Sequence, residues 1–528
     1  MGVKIKYKVF CVGAVLTLLF VAACTHPAIK ADILIKNGTV YNGMDTVPSI
    51  VDIAVKEDKI AYVGSAGKVQ INASKIINAA GLTVSPGFID PHTHATNDLV
   101  NENLSDNKPF LFQGVTTVVV GNDGSSPYPF VKYAAKCEEH GVGTNVAVFV
   151  GHGTVRKMVV GSSDRKATQQ EITKMQKVIR AEMDAGAFGM STGLFYAPGS
   201  YSDTDEIIAL AEVVAETKGV YDTHLRDEST YSIGLIPAIK ETIGIGEKAG
   251  LPVHISHIKC LGVDVWKQSD SIITIIEAAQ KKGIQVTANQ YPYNASATGL
   301  QAAVVPRWAE SGGRDSLVVR INTTGQRTKI LEETKINIAR RGGPKTLLIV
   351  QSPNKLYEGK NLEEISEIHN MPPEETVFKI LEDGYAKIAS FNMTRYDIAN
   401  FMDEPWVVTG SDGGSGHPRK YGSFPRKYNT YVKQDSVLTT AAFINRSSAV
   451  TADILRIPNR GKLLEGYFAD IIIFDPATFM DKATYEDAFK LAEGLKYSII
   501  NGKIAIDEGK YTGQKNGAVL RKKQEKGV

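Results

Sequence analysis

The strongest constraint on the fold is an alternation of apolar, strand-like runs with helix-like stretches between about residues 84 and 454. Two of the intervening stretches, ATQQEITKMQKVIRAEMDAG and SDTDEIIALAEVVAETKG, have a helical pattern, and the second is predicted to begin at Ser202–Asp203 and end at Gly219. Eight such β/α units are the signature of a TIM-like (β/α)8 barrel, whose active site lies at the C-terminal ends of the strands. The eight predicted strands are LTVSPGFID, GVTTVVVGN, TNVAVFVGH, GAFGMSTGL, GVYDTHL, LPVHISHI, IQVTANQYPY and PWVVTGSD.

The segments on either side of this region have the pattern of a small β domain. Residues 31–80 alternate short apolar runs with hairpin-turn signals, and similar runs return after residue 455 in ADIIIFDP and LKYSIINGKIAIDEGKY. We therefore predict an α/β protein with a barrel at 84–454 and a β-sandwich domain formed by residues 25–83 and 455–528. The sandwich ends in a charged, frayed tail, KKQEKGV.

The predicted barrel contains one long connection between its seventh and eighth strands. About a hundred residues, 299–404, separate them, which predicts an inserted subdomain that acts as a lid or pocket wall. A further strand-like run, KIASFN near residue 390, leaves the placement of the eighth strand open.

The N-terminus has the pattern of an export signal. Three lysines within the first eight residues precede the apolar run VFCVGAVLTLLFVAA, which is shorter than a typical membrane span. The residues Val21-Ala22-Ala23-Cys24 resemble a bacterial lipobox, in which the cysteine is lipidated and becomes the new N-terminus. We predict that residues 1–24 are a lipoprotein signal and that Cys24 anchors the exported chain to a membrane of the cell envelope. The alternative is a plain signal peptide that ends near a cysteine.

Composition excludes two other classes of protein. The formal net charge is +3, from 60 basic and 57 acidic residues, which argues against a nucleic-acid partner because such a partner needs a concentrated basic face. Apart from the cysteines of the export signal, the chain has only Cys137 and Cys260. That number is too small for a disulfide framework, and both are interpreted as small buried residues. For Cys260, three residues after His257, a place in the wall of the site is the alternative.

Five histidine and aspartate residues fall at the C-terminal ends of predicted strands. His92 and His94 end strand one, His224 ends strand five, His257 ends strand six and Asp412 ends strand eight. Because these strand ends meet at one mouth of a barrel, the five side chains are expected to converge. Such a set with an open position suits a catalytic Zn²⁺, which lowers the pKa of a bound water to ~7. Asp412 is the candidate general base.

The motifs PGFIDPHTH and SDG, together with the histidines of strands five and six, resemble the amidohydrolase superfamily. Within it, residues 31–522 are similar to the N-acyl-D-amino-acid deacylases, or D-aminoacylases. The most specific blocks are STGLFYAPGSY and GSDGGSGHPRKYGSFPR. The resemblance implies a metal-dependent enzyme that hydrolyses the amide bond of N-acyl-D-amino acids, releasing a carboxylate and a D-amino acid.

The resemblance also implies roles for individual residues. His92 and His94 would bind one metal ion and His224 and His257 another, while Asp412 would be the base and also touch metal. The α-carboxylate of the substrate would be held by four residues: Arg419, Tyr196, Lys259 and Ser296. Thr298 is an alternative to Ser296 for the hydroxyl contribution.

The chain departs from the family pattern at one position. Many amidohydrolases bridge two metals with a carboxylated lysine on strand four, but this strand reads GMSTG and has no lysine. The deacylases use a cysteine after strand two, where this chain reads Gly121-Asn122-Asp123-Gly124. Asp123 is a hard oxygen donor and is predicted to be a ligand. It either bridges two ions, leaves a single zinc on His224 and His257, or shifts the preference toward manganese or iron.

Two other functions remain open. One is a different amidohydrolase activity, such as that of a dipeptidase, a lactonase or a hydantoinase-like ring opener; the missing lysine on strand four argues against ring opening. The other is a surface lipoprotein without catalysis. An acidic D-amino-acid substrate would need an additional cation, for which Lys259, Arg226 and Arg156 are candidates.

Overall fold

The computed structural model describes residues 1–5, 28–65 and 67–523. Most of the predicted export signal, including Cys24, and the last five residues of the charged tail lie outside the described residues. None of the helices in the described part of the chain is long and apolar enough to cross a membrane.

The N-terminal segment forms short strands in two sheets. In the first sheet the order is β5-β4-β1-β6, with β1 and β6 parallel. The strands are β1 (Ile29–Lys36), β2 (Thr39–Val40), β3 (Ser49–Ile50), β4 (Asp52–Lys56), β5 (Lys59–Gly64), β6 (Ile71–Asn78) and β7 (Thr83–Pro86).

Parallel strands of the barrel follow. Adjacent strands pair in chain order, and β10 and β11 are two halves of one strand interrupted at Phe149. The strands are β8 (Phe88–Asp90), β9 (Val115–Val120), β10 (Asn145–Val148), β11 (Val150–Gly151), β12 (Gly189–Gly193), β13 (Val220–His224), β14 (Val253–Ile255) and β15 (Val286–Gln290).

The helices of this region connect these strands. A capping box of Thr168 and Glu171 begins α4, and Asp203 caps α5 as predicted. Helix α5 ends at Glu216 rather than Gly219, because Lys218 already has a left-handed φ of 56°. The helices are α1 (Lys108–Leu111), α2 (Phe130–His140), α3 (His152–Val159), α4 (Gln169–Ala185), α5 (Thr204–Glu216), α6 (Leu235–Ala249) and α7 (Ser269–Lys281).

The first predicted barrel strand, at 82–90, is in fact two strands. Residues of β7 pair with the sandwich, whereas β8 pairs with β9 in the barrel. Gly87 lies between them, and a Cβ at this position would lie 2.2 Å from the side chain of Thr116 on β9. Its N–H donates to the carbonyl of Asp470 at 2.8 Å. The apolar run is continuous in sequence because both sheets bury it.

The long connection has its own antiparallel sheet of order β16-β18-β17 and its own apolar core around Leu300, Ile330 and Ile349. The KIASFN run lies in β18 and does not compete for a place in the barrel. The elements are β16 (Ala295–Gly299), α8 (Leu300–Val304), α9 (Arg314–Ile321), α10 (Thr324–Arg340), β17 (Leu347–Gln351), α11 (Leu362–His369), α12 (Pro373–Asp383) and β18 (Lys387–Phe391).

The chain then returns to the barrel. Helix α13 (Arg395–Asp403) packs on α7 and therefore belongs to the barrel ring, although it falls within the predicted insertion of 299–404. Strand β19 (Val407–Thr409) pairs with β15, and a bridge between Thr93 and Gly413 joins the last strand to the first. The barrel is thereby closed, as predicted. Helices α14 (Arg419–Arg426), α15 (Thr440–Ser447) and α16 (Ala449–Ile454) follow.

The C-terminal segment completes the β-sandwich. Its strands extend the second sheet, whose order is β23-β22-β21-β20-β7-β2-β3, so that β20 pairs with β7. Ile35 and Ile53 of the first sheet share one core with Ile473 and Ile499 of the second. The strands are β20 (Ile471–Phe474), β21 (Leu495–Ile500), β22 (Lys503–Asp507) and β23 (Lys510–Tyr511). The predicted fold class is confirmed.

Candidate metal and substrate site

The seam that closes the barrel carries three of the predicted site residues. The N–H of Asp412 donates to the carbonyl of His92 at 2.9 Å, and the N–H of His94 donates to the carbonyl of Gly413 at 3.0 Å. Nε2 of His94 lies 2.9 Å from Oδ1 of Asp412, and Nε2 of His92 lies 3.7 Å from the same oxygen. The ends of strands one and eight thus place two imidazoles and a carboxylate together.

Asp123 lies between two groups of histidines and presents one oxygen to each. Oδ2 is 3.4 Å from Nε2 of both His92 and His94. Oδ1 is 3.4 Å from Nε2 of His257 and 3.6 Å from Nδ1 of His224. The six predicted metal-site residues therefore form two clusters that share Asp123.

The loop that carries Asp123 is tightly packed. Gly121 has a φ of 86°, and a Cβ there would lie 2.2 Å from the carbonyl oxygen of Phe149. The hydroxyl of Ser191, on β12, donates to the carbonyl of Gly121 and accepts from the N–H of Gly124. Strand four thus contributes a serine that fixes the loop rather than a lysine that bridges metals.

Three site residues have left-handed backbones, which is unusual for residues other than glycine. The φ angles are 54° at Asp123, 36° at His257 and 49° at Asp412. Such conformations persist where the surrounding structure imposes them, and they cluster at functional sites. Asparagine and aspartate tolerate this region best, so an asparagine would be the least disruptive replacement at 123 or 412.

The donors present fit divalent metal ions. Both ring nitrogens of His92 and Oδ1 of Asp123 are buried and have no hydrogen-bond partner. Burial raises the pKa of Asp123, but the neighbouring histidines, His92 first, hold it well below its ordinary value. The carboxylate is therefore ionised, as a metal ligand must be. Histidine nitrogen and carboxylate oxygen are the ligands typical of catalytic zinc.

Glu228 is a buried carboxylate that we did not predict as a site residue. Its Oε1 lies 3.1 Å from Nδ1 of His257 and 2.6 Å from Nζ of Lys259, and its Oε2 lies 3.6 Å from Nε2 of His224. At His224 this carboxylate favours protonation of Nε2, which leaves Nδ1 free toward Asp123. Nδ1 of His257 also lies 2.6 Å from Nζ of Lys259, which can only donate. The sequence feature that could have indicated Glu228 is its position four residues after His224, in THLRDE.

Arg419 is buried and lies beside Asp412, with 2.8 Å between its Nη2 and Oδ2 of the carboxylate. Burial raises the pKa of Asp412, but Arg419 and then the neighbouring histidines hold it below its ordinary range. Nε and Nη1 of Arg419 are buried without partners, as is the hydroxyl of Tyr291, whose ring lies 4.7 Å from the guanidinium. These unused donors can receive a carboxylate. Tyr291 was not predicted as a site residue, although it lies in the predicted seventh strand, IQVTANQYPY.

A cavity of about 860 Å³ opens over these groups. It is lined by Lys259, by Ser296 on β16, and by Tyr196, whose hydroxyl is 3.4 Å from Thr298 Oγ1. Cys260 does not line it, and both described cysteines are free and buried. The inserted segment contributes two cations to the wall, Arg341 and Lys387.

The three cations proposed from sequence for an acidic substrate are already paired. Lys259 contacts Glu228 at 2.6 Å, Arg226 contacts Glu241 at 2.9 Å and Arg156 contacts Glu206 at 3.0 Å. Arg226 and Arg156 also lie outside the lining of the cavity.

A closed (β/α)8 barrel with clustered histidines and aspartates at its strand ends defines a metal-dependent hydrolase of the amidohydrolase type. The family model described as "Amidohydrolase family" matches residues 75–506, and the chain belongs to that family. Within it, the chain groups with the D-aminoacylases: it is 30% identical to the D-aminoacylase of Alcaligenes xylosoxydans xylosoxydans over 516 residues, covering 93% of this chain and 97% of that protein.

Two solved structures have the same fold over nearly the whole chain. The N-acyl-D-glutamate deacylase of Bordetella bronchiseptica, in complex with zinc and a phosphonate that mimics the tetrahedral intermediate, is 28% identical with a TM-score of 0.80. A D-aminoacylase studied for its binuclear metal centre is 30% identical with a TM-score of 0.79. In both cases the match covers 93% of this chain and 100% of the other.

Proposed function

We propose that this protein is a metal-dependent N-acyl-D-amino-acid deacylase, which cleaves the amide bond to release a carboxylate and a D-amino acid. The observation that carries the proposal is the position of the unpaired donors of Arg419 and Tyr291 beside Asp412, in the cavity that also contains both histidine clusters. The similarity to the deacylases described above supports it.

The two histidine clusters would hold zinc. His92, His94 and Asp412 would bind one ion, His224 and His257 would bind another, and Asp123 would contact both. When bound, zinc lowers the pKa of water and polarises the amide carbonyl. The zinc in the related Bordetella bronchiseptica structure supports this choice of metal.

Asp412 is the residue that moves the proton. Its carboxylate takes a proton from the attacking water and delivers it to the nitrogen of the departing amine. Arg419 keeps this carboxylate ionised and oriented through the contact at 2.8 Å. Ionisation is required because only the unprotonated form accepts the proton from water.

The α-carboxylate of the substrate would bind beside Asp412. Arg419 offers Nε and Nη1, and Tyr291 offers its hydroxyl. Lys259, Tyr196 and Ser296 line the same cavity and supply further donors. An anchored α-carboxylate positions the scissile amide, which favours the reaction by lowering its entropic cost.

Zinc-loaded protein should hydrolyse N-acetyl-D-amino acids and leave the corresponding L-forms and cyclic amides intact. Release of free amine over a panel of neutral and acidic side chains would measure this activity. Turnover of L-amino acid derivatives, dipeptides, lactones or hydantoins, with none of any D-substrate, would falsify the proposal in favour of another amidohydrolase activity.

Glu228→Gln should weaken zinc binding by about 10–100-fold, because the amide no longer orients His224 and His257 as the carboxylate does. Competition with a chelator measures the zinc affinity. Glu241→Gln is the matched control, since it removes a similarly buried carboxylate that pairs with Arg226 away from the cavity. Equal zinc affinities in the two variants would contradict the orienting role.

We also propose that the chain is an exported lipoprotein anchored through Cys24. The support is the run of apolar residues after the N-terminal lysines and the Val21-Ala22-Ala23-Cys24 block. Expression of the full chain in a bacterial host with labelled fatty acid should label the protein, and Cys24→Ser should abolish the label. A label that survives this substitution would overturn the proposal.

A further inference from the structure

Arg341 is a buried cation in the cavity wall that the proposed chemistry does not use. It follows α10 directly, is 1% exposed and lines the cavity. Its Nε donates to the hydroxyl of Tyr231 at 2.6 Å and to the carbonyl of Ala303 at 3.2 Å. Its Nη1 is buried and has no hydrogen-bond partner.

Among the described residues, no carboxylate forms an ion pair with Arg341. The nearby Arg307, in contrast, pairs with Glu310. A guanidinium stays charged at any physiological pH, and a buried charge without a counter-ion is unfavourable. The carbonyl end of α10 offsets part of this charge, but Nη1 still reaches no acceptor. The missing anion is therefore expected to come from a ligand.

Arg341 is also distinct from the site proposed for the α-carboxylate. Arg419 contacts Asp412 and Tyr291, whereas Arg341 contacts Tyr231. An aromatic wall connects Arg341 to the metal cluster, because the ring of Phe195 lies 5.1 Å from that of Tyr231 and 5.7 Å from that of His224. A substrate held at the metal cluster can extend a second group along this wall.

We infer that Arg341 binds a second carboxylate of the substrate, so that the protein acts on N-acyl-D-amino acids that carry two carboxylates. This inference rests on the proposed deacylase function. The second carboxylate belongs either to an acidic side chain or to a dicarboxylic acyl group, and both place the same anion at Arg341. The inserted segment, which supplies Arg341, is then the element that selects the substrate.

The first test compares matched substrates of the zinc-loaded wild-type protein. We expect kcat/KM for N-acetyl-D-glutamate to exceed that for N-acetyl-D-glutamine by about tenfold or more, since the amide leaves the buried guanidinium unpaired. N-succinyl-D-leucine is compared with N-acetyl-D-leucine in the same way. A preference in the first pair assigns the anion to the side chain, and a preference in the second assigns it to the acyl group.

Variants then link the preference to Arg341. Arg341→Met should abolish the preference for the dicarboxylate, mainly through KM, and Arg341→Lys should retain part of it because the charge remains. Arg340→Met is the matched control: Arg340 also stacks on Tyr231, at 4.5 Å, but it is only partly buried. The ratio of kcat/KM values within a pair is insensitive to the fraction of each variant that folds.

A failure of the proposed role of Arg341 and a failure of the proposed deacylase function give different results. Neutral D-substrates hydrolysed as well as their dicarboxylate partners in both pairs would overturn the role of Arg341 and keep the deacylase function. The same holds if Arg341→Met retains the preference. Failure to hydrolyse any D-substrate would overturn both.

Discussion

Asp412→Asn is expected to lower kcat by about 10²–10⁴-fold, because the amide cannot take the proton from the attacking water. Asparagine is the appropriate replacement: it has the same shape and tolerates the left-handed φ of 49° at this position. Steady-state hydrolysis of the best N-acetyl-D-amino acid measures kcat, and elemental analysis of the same sample measures the zinc that remains bound.

The control for this substitution is Asp481→Asn. Asp481 forms an ion pair with Arg426 at 3.1 Å, and neither residue lines the cavity. This variant loses an aspartate–arginine pair of the same kind and should keep kcat within about twofold, as for changes away from a site. An Asp412→Asn variant that binds zinc normally and retains most of its activity would assign the proton transfer to another group.

Asp123→Asn is expected to reduce the metal content from two ions per chain to one. A carboxylate offers two equivalent oxygens, and those of Asp123 face different histidine clusters at 3.4 Å from His92 and 3.4 Å from His257. An amide offers a single oxygen and no charge, so it cannot serve both clusters. Metal content after dialysis against zinc-containing buffer, with protein concentration from absorbance, gives the ratio.

Asp123→Cys separates two roles of Asp123: joining the two histidine clusters, and supplying oxygen rather than sulfur ligands to the metal ions. A thiolate can also contact two ions, so this variant should restore two zinc ions per chain but bind manganese more weakly than the wild type does, because thiolate is the softer ligand. If wild type and Asp123→Asn bind equal amounts of metal, Asp123 does not join the two clusters.

The location of the site could be predicted from the sequence because it depends on local order along the chain. His224 is the last residue of an apolar strand, and His92, His94, His257 and Asp412 follow such strands within a few residues. A closed parallel barrel brings these strand ends to one mouth. The division of the first predicted strand into β7 and β8 at Gly87 could not be predicted from the order of residues along the chain. Both halves are apolar, and only the packing of Thr116 and the pairing with β20 distinguish them.

Glu228 and Arg341 were not predicted, because the hydrophobic periodicity of the sequence does not indicate the contacts that these two residues make. Glu228 lies four positions after a ligand on a loop rather than a helix, so its spacing has no fixed geometry. Arg341 lies 84 residues after His257, the nearest predicted metal ligand that precedes it, and reaches the cavity only because the inserted segment folds against the barrel. That Arg341 has no counter-ion can be recognised only from the three-dimensional positions of the charged residues around it.

The change of sheet at Gly87 also has a mechanical consequence. One uninterrupted length of chain, with no flexible linker, runs from the middle of the sandwich to His92 at the mouth of the barrel. Local unfolding of the sandwich or of the barrel therefore disturbs the other domain through this shared stretch of chain. The sandwich thereby restrains the position of the first barrel strand. We expect the two bodies to melt in a single calorimetric transition rather than two, since neither can separate without breaking the shared strand.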